Sequence, residues 1–427
     1  MRILFLTNFY PPYEIGGMEQ SCQQVVEGLR KRGHHNYVLT SMHGTRNRPV
    51  EENGVYRWLY LEMDFEPWRQ AFKFFLNREK REKQNLQRFD QLIRDTQPDI
   101  IFIWGMWNLP RSLAAFAETQ YPDQVIYRFA DYWPTLPSQY KLYWQTPGRK
   151  WFSRIPKLLM GFLARFALAF DHPANLKFEK AICVSAATRD VLVNAGIPIS
   201  HARIIHTGID ETKYLDGNAR TNTDMEDKIL KLLFAGRLSA DKGVETAIKA
   251  MKQIVYEKGK TTVQLSLAGT GSEDYLKRLH NLVSRDRLDD YVKFLGYLPS
   301  EEMPDLMKEF DVMLVPSTWE EPFARVVLEG MTAGLVVVAT PMGGTKEILR
   351  HGENGLLVNP GDANDLAEKI EDLADSPYLR CALSVAGRKT IKEHFTFEIM
   401  MDKIESYLCD AADHSPRIPS ASLNSKG

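Results

Sequence analysis

Residues Pro316 to Glu347 read P-S-T-W-E-E-P-F-A-R-V-V-L-E-G-M-T-A-G-L-V-V-V-A-T-P-M-G-G-T-K-E, and this stretch decides the fold. The apolar run Asp311-Val-Met-Leu-Val315 ends at Pro316, which cannot donate to a sheet ladder. A short polar loop carries Glu320 and Glu321. A helix is predicted to open near Phe323, because Val326, Val327, Gly330 and Met331 are spaced to face a core, and to stop at Gly334. Leu335 to Ala339 reads as a second buried strand, followed by a loop holding Gly343 and Gly344. Two strand-to-helix turns therefore share one edge of a parallel sheet, the edge at which open α/β sheets bind ligands. Free N–H groups and a partial positive charge at a helix start suit a phosphate. Glu321 in the loop and Glu329 inside the helix accept hydrogen bonds when ionised, so they suit sugar or ribose hydroxyls.

Outward from that stretch the same alternation continues. Before it come strands over Leu232–Ala235, Val263–Ala268 and Val292–Leu295, and after it Leu356–Val358, with helices between. The earlier half repeats the pattern: strand Ile3–Thr7, a Pro- and Gly-rich loop Asn8–Gly17, a helix from Met18 to Arg32 stopped by Gly33, and strands Tyr37–Ser41, Asp99–Trp104, Gln124–Phe129 and Ala181–Ser185. A chain of 427 residues exceeds what one core usually supports. Two domains are expected, 1–209 and 229–391, joined by a polar linker at 210–228. A helix at 392–410 is expected to pack back toward the first domain, and 411–427 reads as a disordered tail.

Composition excludes several classes. A formal net charge of −1 gives no basic excess for nucleic acid. Four cysteines, Cys22, Cys183, Cys381 and Cys409, lie far apart without a C-x-x-C pair and read as free thiols in a reducing compartment. The opening strand is too short for a targeting segment, and no apolar run has the length of a membrane span. A long basic helical pattern covers Glu66 to Asp90. Arg149, Lys150, Arg154 and Lys157 lead into an apolar run to Phe170, which reads either as a buried helix or as a surface docked on anionic lipid.

Gly236-Arg-Leu-Ser-Ala-Asp-Lys-Gly243 joins a strand to its helix and places Arg237 and Lys242 at the sheet edge, where both cations could reach a bound phosphate. Gly269 and Gly271 follow the next strand and would let a backbone approach a ligand. No Gly comes three residues after Gly271, so the dinucleotide fingerprint fails, and no G-x-x-x-x-G-K-[ST] occurs. Gly16 and Gly17 sit in the turn after the first strand. The histidines show no metal-ligand spacing, and Trp133, Trp144 and Trp151 are either core or sugar-stacking residues.

Together these residues resemble retaining glycosyltransferase family four. Glu321 and Glu329 match its E-x7-E signature within E-P-F-A-R-V-V-L-E-G-M-T-A-G; G-R-L-S-A-D-K-G, L-A-G-T-G, V-K-F-L-G-Y-L and G-G-T-K-E with G-E-N-G-L-L-V follow in the family's order. The resemblance is specific over 228–375 and looser before it. It implies the GT-B architecture, an α/β fold of two facing Rossmann-like domains with parallel sheets and an interdomain cleft. It implies Arg237 and Lys242 on a donor diphosphate, Glu321 on the donor sugar, Glu329 on the ribose and the backbone of Phe323, Ala324 and Arg325 at the phosphates. Gly16 and Gly17 would border the donor from the other domain. Ala324 and Val336 stand where the family has Gly and Pro, and Ala130 stands where members carry His ahead of Asp131-Tyr-Trp-Pro134.

The expected activity is a retaining, metal-independent transfer from a nucleoside-diphosphate sugar to a hydroxyl of a glycan, lipid-linked or small-molecule acceptor. No cofactor and no metal site are expected. The expected location is the cytoplasm, with peripheral contact at the inner face of the membrane. Without the histidine, Asp131 is assigned to orienting a donor or acceptor hydroxyl; the competing reading is a cap for the turn beside Pro134. The rival functions are a nucleotide-sugar-binding protein without turnover and a UDP-sugar epimerase of the same fold.

Overall fold

The computed structural model describes residues 1–13, 16–46, 48–63, 70–147, 151–169, 175–214 and 229–413. Contacts divide the chain into two units. The first takes Met1–Cys183, Arg189–Ile204 and the chain from Lys403; the second takes Val184–Thr188 and Ile205–Asp402. Most of the expected linker, 215–228, lies outside the described residues, as do Arg149, Lys150 and 414–427. Asp210 to Tyr214, which the sequence reading gave to the linker, belong to the second unit, with a 3-10 turn at Glu211–Tyr214.

The first unit holds β1 (Arg2–Thr7), β2 (His35–Ser41), β3 (Val50–Glu52), β4 (Val55–Leu59), β5 (Ile100–Gly105), β6 (Val125–Phe129), β7 (Ala181–Cys183) and β8 (Arg203–Ile204). Their order is β3-β4-β2-β1-β5-β6-β7-β8, parallel except for the β3–β4 pair. Helices α1 (Gly17–Lys31), α2 (Gln70–Thr96), α3 (Ser112–Gln120), α4 (Gln139–Gln145) and α5 (Trp151–Ala169) connect them, and α6 (Ala186–Asn194) has its first three residues in the second unit and the rest in the first. The central strands β1 and β5 are apolar on both faces, with Ile3, Leu4, Phe5, Leu6 and Ile100 to Trp104 all buried, as a sheet covered by helices requires. The β3–β4 hairpin is absent from the sequence reading. Its turn is Asn53-Gly54, both at positive φ (50° and 78°), the residue pair that such a tight turn favours.

The second unit holds β9 (Leu230–Ala235), β10 (Val263–Ala268), β11 (Val292–Gly296), β12 (Val312–Val315), β13 (Val336–Ala339) and β14 (Leu356–Leu357), all parallel in the order β11-β10-β9-β12-β13-β14. Counted within the unit this is the dinucleotide-fold order, which reverses between β9 and β12. Helices α7 (Val244–Lys252), α8 (Glu273–Arg285), α9 (Met303–Met307), α10 (Arg325–Ala333), α11 (Thr345–Ile348), α12 (Ala363–Asp375) and α13 (Pro377–His394) follow in chain order. The helix expected at 392–410 begins later and runs further, as α14 (Phe397–Asp413). Its start is fixed by Thr396, which pairs with Ile209 in a parallel bridge, and by the buried Phe395. The tail expected from 411 therefore starts as helix.

Candidate functional site

The loops after β9 and β12 meet where the strand order of the second unit reverses. Thr318 N–H donates to the Asp241 carbonyl at 2.9 Å, which ties one loop to the other. Gly243 makes this approach possible. Its φ is +72°, and a Cβ there would lie 1.8 Å from the Pro316 carbonyl oxygen. On this frame Lys242 Nζ donates to Glu321 Oε1, and Ser317 Oγ donates to the same carboxylate oxygen at 2.9 Å. Lys242 Nζ also stands 5.3 Å from the centre of the Trp319 ring. Glu321 and Ser317 are buried, whereas Trp319 is exposed. Arg237 points outward, and its guanidinium lies 3.5 Å from Asp241 Oδ2.

The loop after β12 is also braced from β13. Gly343 N–H donates to Glu320 Oε2 at 2.6 Å, and Gly344 N–H to the Glu321 carbonyl at 2.8 Å. A Cβ at Gly343 would lie 2.0 Å from the Glu321 carbonyl oxygen. The Gly343-Gly344 pair thus fixes the two glutamates. Helix α10 opens at Arg325, two residues later than the periodicity suggests, with Ala324 as its cap. It ends on Gly334 in the left-handed region (φ 85°). The one-turn offset of Glu329 places its carboxylate 3.3 Å from Arg325 Nε. Burial pushes the Glu329 carboxyl up, while Arg325 and then Lys213 pull it back.

Gly269 and Gly271 have a packing cause that the sequence did not show. A Cβ at Gly269 would meet the Gly236 carbonyl oxygen at 1.8 Å, and one at Gly271 the Leu238 carbonyl oxygen at 2.0 Å. The neighbouring strand-end loop therefore accounts for glycine at both positions. Gly16 is the reverse case. It caps α1 in extended conformation (φ −167°), its N–H donates to the buried Glu19 carboxylate at 3.0 Å, and an added Cβ would touch nothing closer than 3.8 Å. Neither backbone nor packing demands glycine there. Gly17 begins the helix.

Asp131 sits in the loop after β6. Its Oδ1 accepts the Trp133 N–H at 3.3 Å, at the opening of a 3-10 turn over Trp133–Thr135. The capping geometry is thus present. Desolvation pushes the carboxyl up to about 6, against the opposing pull of that N–H. Trp133 packs on Phe129 and Phe178 with 3% exposure, and Trp144 is buried as well, so both are core rather than sugar platforms.

One constellation escaped the sequence reading. Glu347 accepts the N–H of Ala186 (3.1 Å) and Ala187 (2.9 Å) and bonds His206 Nε2 at 2.9 Å. Ser185 Oγ and Thr188 Oγ1 (3.0 Å for the latter, 2.6 Å for the former) donate to the Pro322 carbonyl. The first turn of α6 is therefore anchored directly to the loop carrying Glu321. Burial alone would raise the Glu347 carboxyl, yet His206 and the two amides hold it below the usual carboxylate range. Ser185 also caps α6 locally by accepting the Thr188 N–H at 2.9 Å, but Pro322, whose carbonyl it donates to, lies 137 residues away.

Two family models match the chain: Glycosyltransferase Family 4 over residues 15–213 and Glycosyl transferases group 1 over 218–390. An uncharacterized glycosyltransferase of Methanocaldococcus jannaschii is 25% identical over 93% of this chain and 95% of its own length. The glycogen synthase of Mycobacterium tuberculosis is 25% identical over 93% and 92%. Among solved structures, that of Anabaena HepE in complex with UDP and glucose superposes with a TM-score of 0.68 at 21% identity, covering 96% of this chain and all of that one. Sucrose-phosphate synthase from Thermosynechococcus elongatus gives a TM-score of 0.70 at 21% identity, over 97% of this chain. These likenesses show the GT-B fold.

Proposed function

We propose, on the premise that this chain belongs to the group 1 glycosyl transferases of glycosyltransferase family 4, that it moves a sugar from a nucleoside diphosphate to an acceptor hydroxyl with retention and without a metal ion. The observation that carries this reading is the Lys242–Glu321 pair at the reversal point of the sheet, beside the start of α10. It sets a cation, a carboxylate and a helix N-terminus on one edge. Lys242 spends one of its three donors on Glu321 and has others for phosphate oxygens.

In this reading Arg237, Lys242 and the N–H groups of Phe323, Ala324 and Arg325 balance charge as the diphosphate leaves. They act as preorganised donors that need not reorient during the reaction. Glu321, held by Ser317, accepts from a sugar hydroxyl, and Glu329 from the ribose. Gly269 and Gly271 contribute backbone to the same edge. For the first unit, the proposal assigns the Gly16–Gly17 turn to donor binding and Asp131 to a hydroxyl of the reactants. The departing phosphate oxygen can take the acceptor's proton, so a strong enzymic base at Ala130 is not obligatory. The acceptor class is a glycan, a lipid-linked sugar or a small molecule.

Because HepE is described with UDP, UDP-sugars are the first donors to test. Melting temperature is followed against UDP-, GDP- and ADP-sugars in wild type and in Lys242→Met. A donor at about 100-fold its Kd adds about 2.7 kcal/mol. Stabilisation by one donor class, weakened in Lys242→Met, supports the reading; no shift with any of them overturns it.

A further inference from the structure

The amphipathic pattern of α5 is turned inside out. Ile155, Leu158, Leu159, Phe162 and Leu163 are between 59% and 75% exposed. They recur at the three- and four-residue spacing of one helix face. The opposite face carries Lys157, Met160, Gly161, Ala164 and Leu168, and this is the face that packs on the protein. Ala164 is fully buried beside Phe74 and Trp144, a Cβ at Gly161 would lie 3.1 Å from the Trp144 carbonyl oxygen, and Lys157 Nζ stands 4.0 Å over the Tyr143 ring. A helix that only served the core would bury its large apolar side chains and expose the small and charged ones. Here α4 and α2 receive the small face, and Phe75, 5.6 Å from the Trp144 ring, and Leu76 of α2 add further exposed apolar surface.

Charge says what covers this face. The helix has three cations and no Asp or Glu. Arg154 and Arg165 are both exposed, and at 3.6 residues per turn both fall along one border of the apolar stripe. Apolar side chains edged by arginine match an interface whose interior is hydrocarbon and whose headgroups are anionic. No helix among the described residues is long and apolar enough to cross a membrane, so the helix would lie in the plane of the surface. We propose that the outward face of α5 docks the protein on anionic lipid bilayers. Docking through this face needs neither the donor site nor the transfer reaction.

The full chain is floated with phosphatidylcholine vesicles with and without phosphatidylglycerol at low salt. The expected result is flotation with the anionic vesicles only. Leu158→Ser/Phe162→Ser should lower it about tenfold or more, and Arg154→Gln/Arg165→Gln about fivefold per arginine. All four side chains are exposed, so melting temperature should hold in both variants. Equal flotation with both vesicle types, none with either, or wild-type behaviour of the Leu158→Ser/Phe162→Ser variant overturns the proposal. Sedimentation of the wild type as a dimer that this variant splits, without flotation, assigns the face to a second copy and overturns it equally.

Discussion

Replacing Lys242 by Met tests whether the cation at the sheet reversal serves chemistry or only the loop. Methionine keeps most of the side chain's apolar stem and loses the ammonium, and with it the charge and the cation–π contact with Trp319. Two costs follow, and they separate. The first is stability: Lys242 and Glu321 are 23% and 11% exposed at their side chains, between a surface pair and a buried one. Breaking buried pairs costs about 3–5 kcal/mol and exposed ones about 0–1, so about 1–3 kcal/mol is expected here. The second is catalysis: loss of one group facing developing charge lowers kcat/KM by about 10²–10³, equivalent to about 2.7–4 kcal/mol. In Lys242→Met/Glu321→Gln the stranded carboxylate is neutral and stability should largely return, as expected for contacting partners whose effects do not add. Activity should not return. Unfolding by urea gives the first term, steady-state transfer from a UDP-sugar the second. Calorimetry with UDP and with uridine adds a control, because the lost cation should weaken only the diphosphate-bearing ligand. Near-normal kcat/KM in Lys242→Met, or equal weakening of UDP and uridine, would refute the reasoning.

Three further outcomes are expected. Because burial pushes the Asp131 carboxyl up to about 6, its ionised form, and with it kcat, should fall as pH drops through that value; Asp131→Asn should have a low kcat without that limb. A raised carboxyl favours the folded state at low pH and loses that contribution as pH rises past 6, so the Asn variant should melt no earlier than wild type at pH about 8; early melting would favour the capping role. Gly243→Ala should cost more than about 2 kcal/mol, since φ is +72° and the new Cβ meets the Pro316 carbonyl, and it should displace Lys242 with the loop. Gly16→Ala has extended backbone and would bring its Cβ no closer than 3.8 Å to the Glu19 carboxylate, so its melting temperature should hold while kcat/KM falls; unchanged kinetics would remove Gly16 from donor binding.

What the sequence disclosed depended on how local the cause was. The β12–α10–β13 run was readable because Pro316, the apolar spacing from Val326 to Met331 and Gly334 each act within a few residues. The order of the strands, and with it the meeting of the β9 and β12 loops, required the whole sheet. The Lys242–Glu321 pair spans 79 residues and the Glu347 anchor of α6 about 160, distances over which side-chain chemistry gives no periodic signal. The packing of Gly269 and Gly271 against neighbouring carbonyls was not legible, because such a contact cannot be seen in a linear string. The β3–β4 hairpin is a different kind of miss, since Asn53-Gly54 announced it locally. For α5 the sequence left a buried and an exposed reading open, and tertiary packing on Trp144 decided which face points outward.

The edge of the second unit is proposed to turn over a nucleoside-diphosphate sugar. The most direct measurement is transfer of label from UDP-, GDP- and ADP-sugars to a mixed set of hydroxyl acceptors in the presence of EDTA, with the anomeric configuration of the product read by NMR. Transfer from one donor class, with the donor's configuration kept and no loss to the chelator, is the expected result. Saturable donor binding without transfer, an inverted product, or activity lost to EDTA and restored by magnesium or manganese would contradict it.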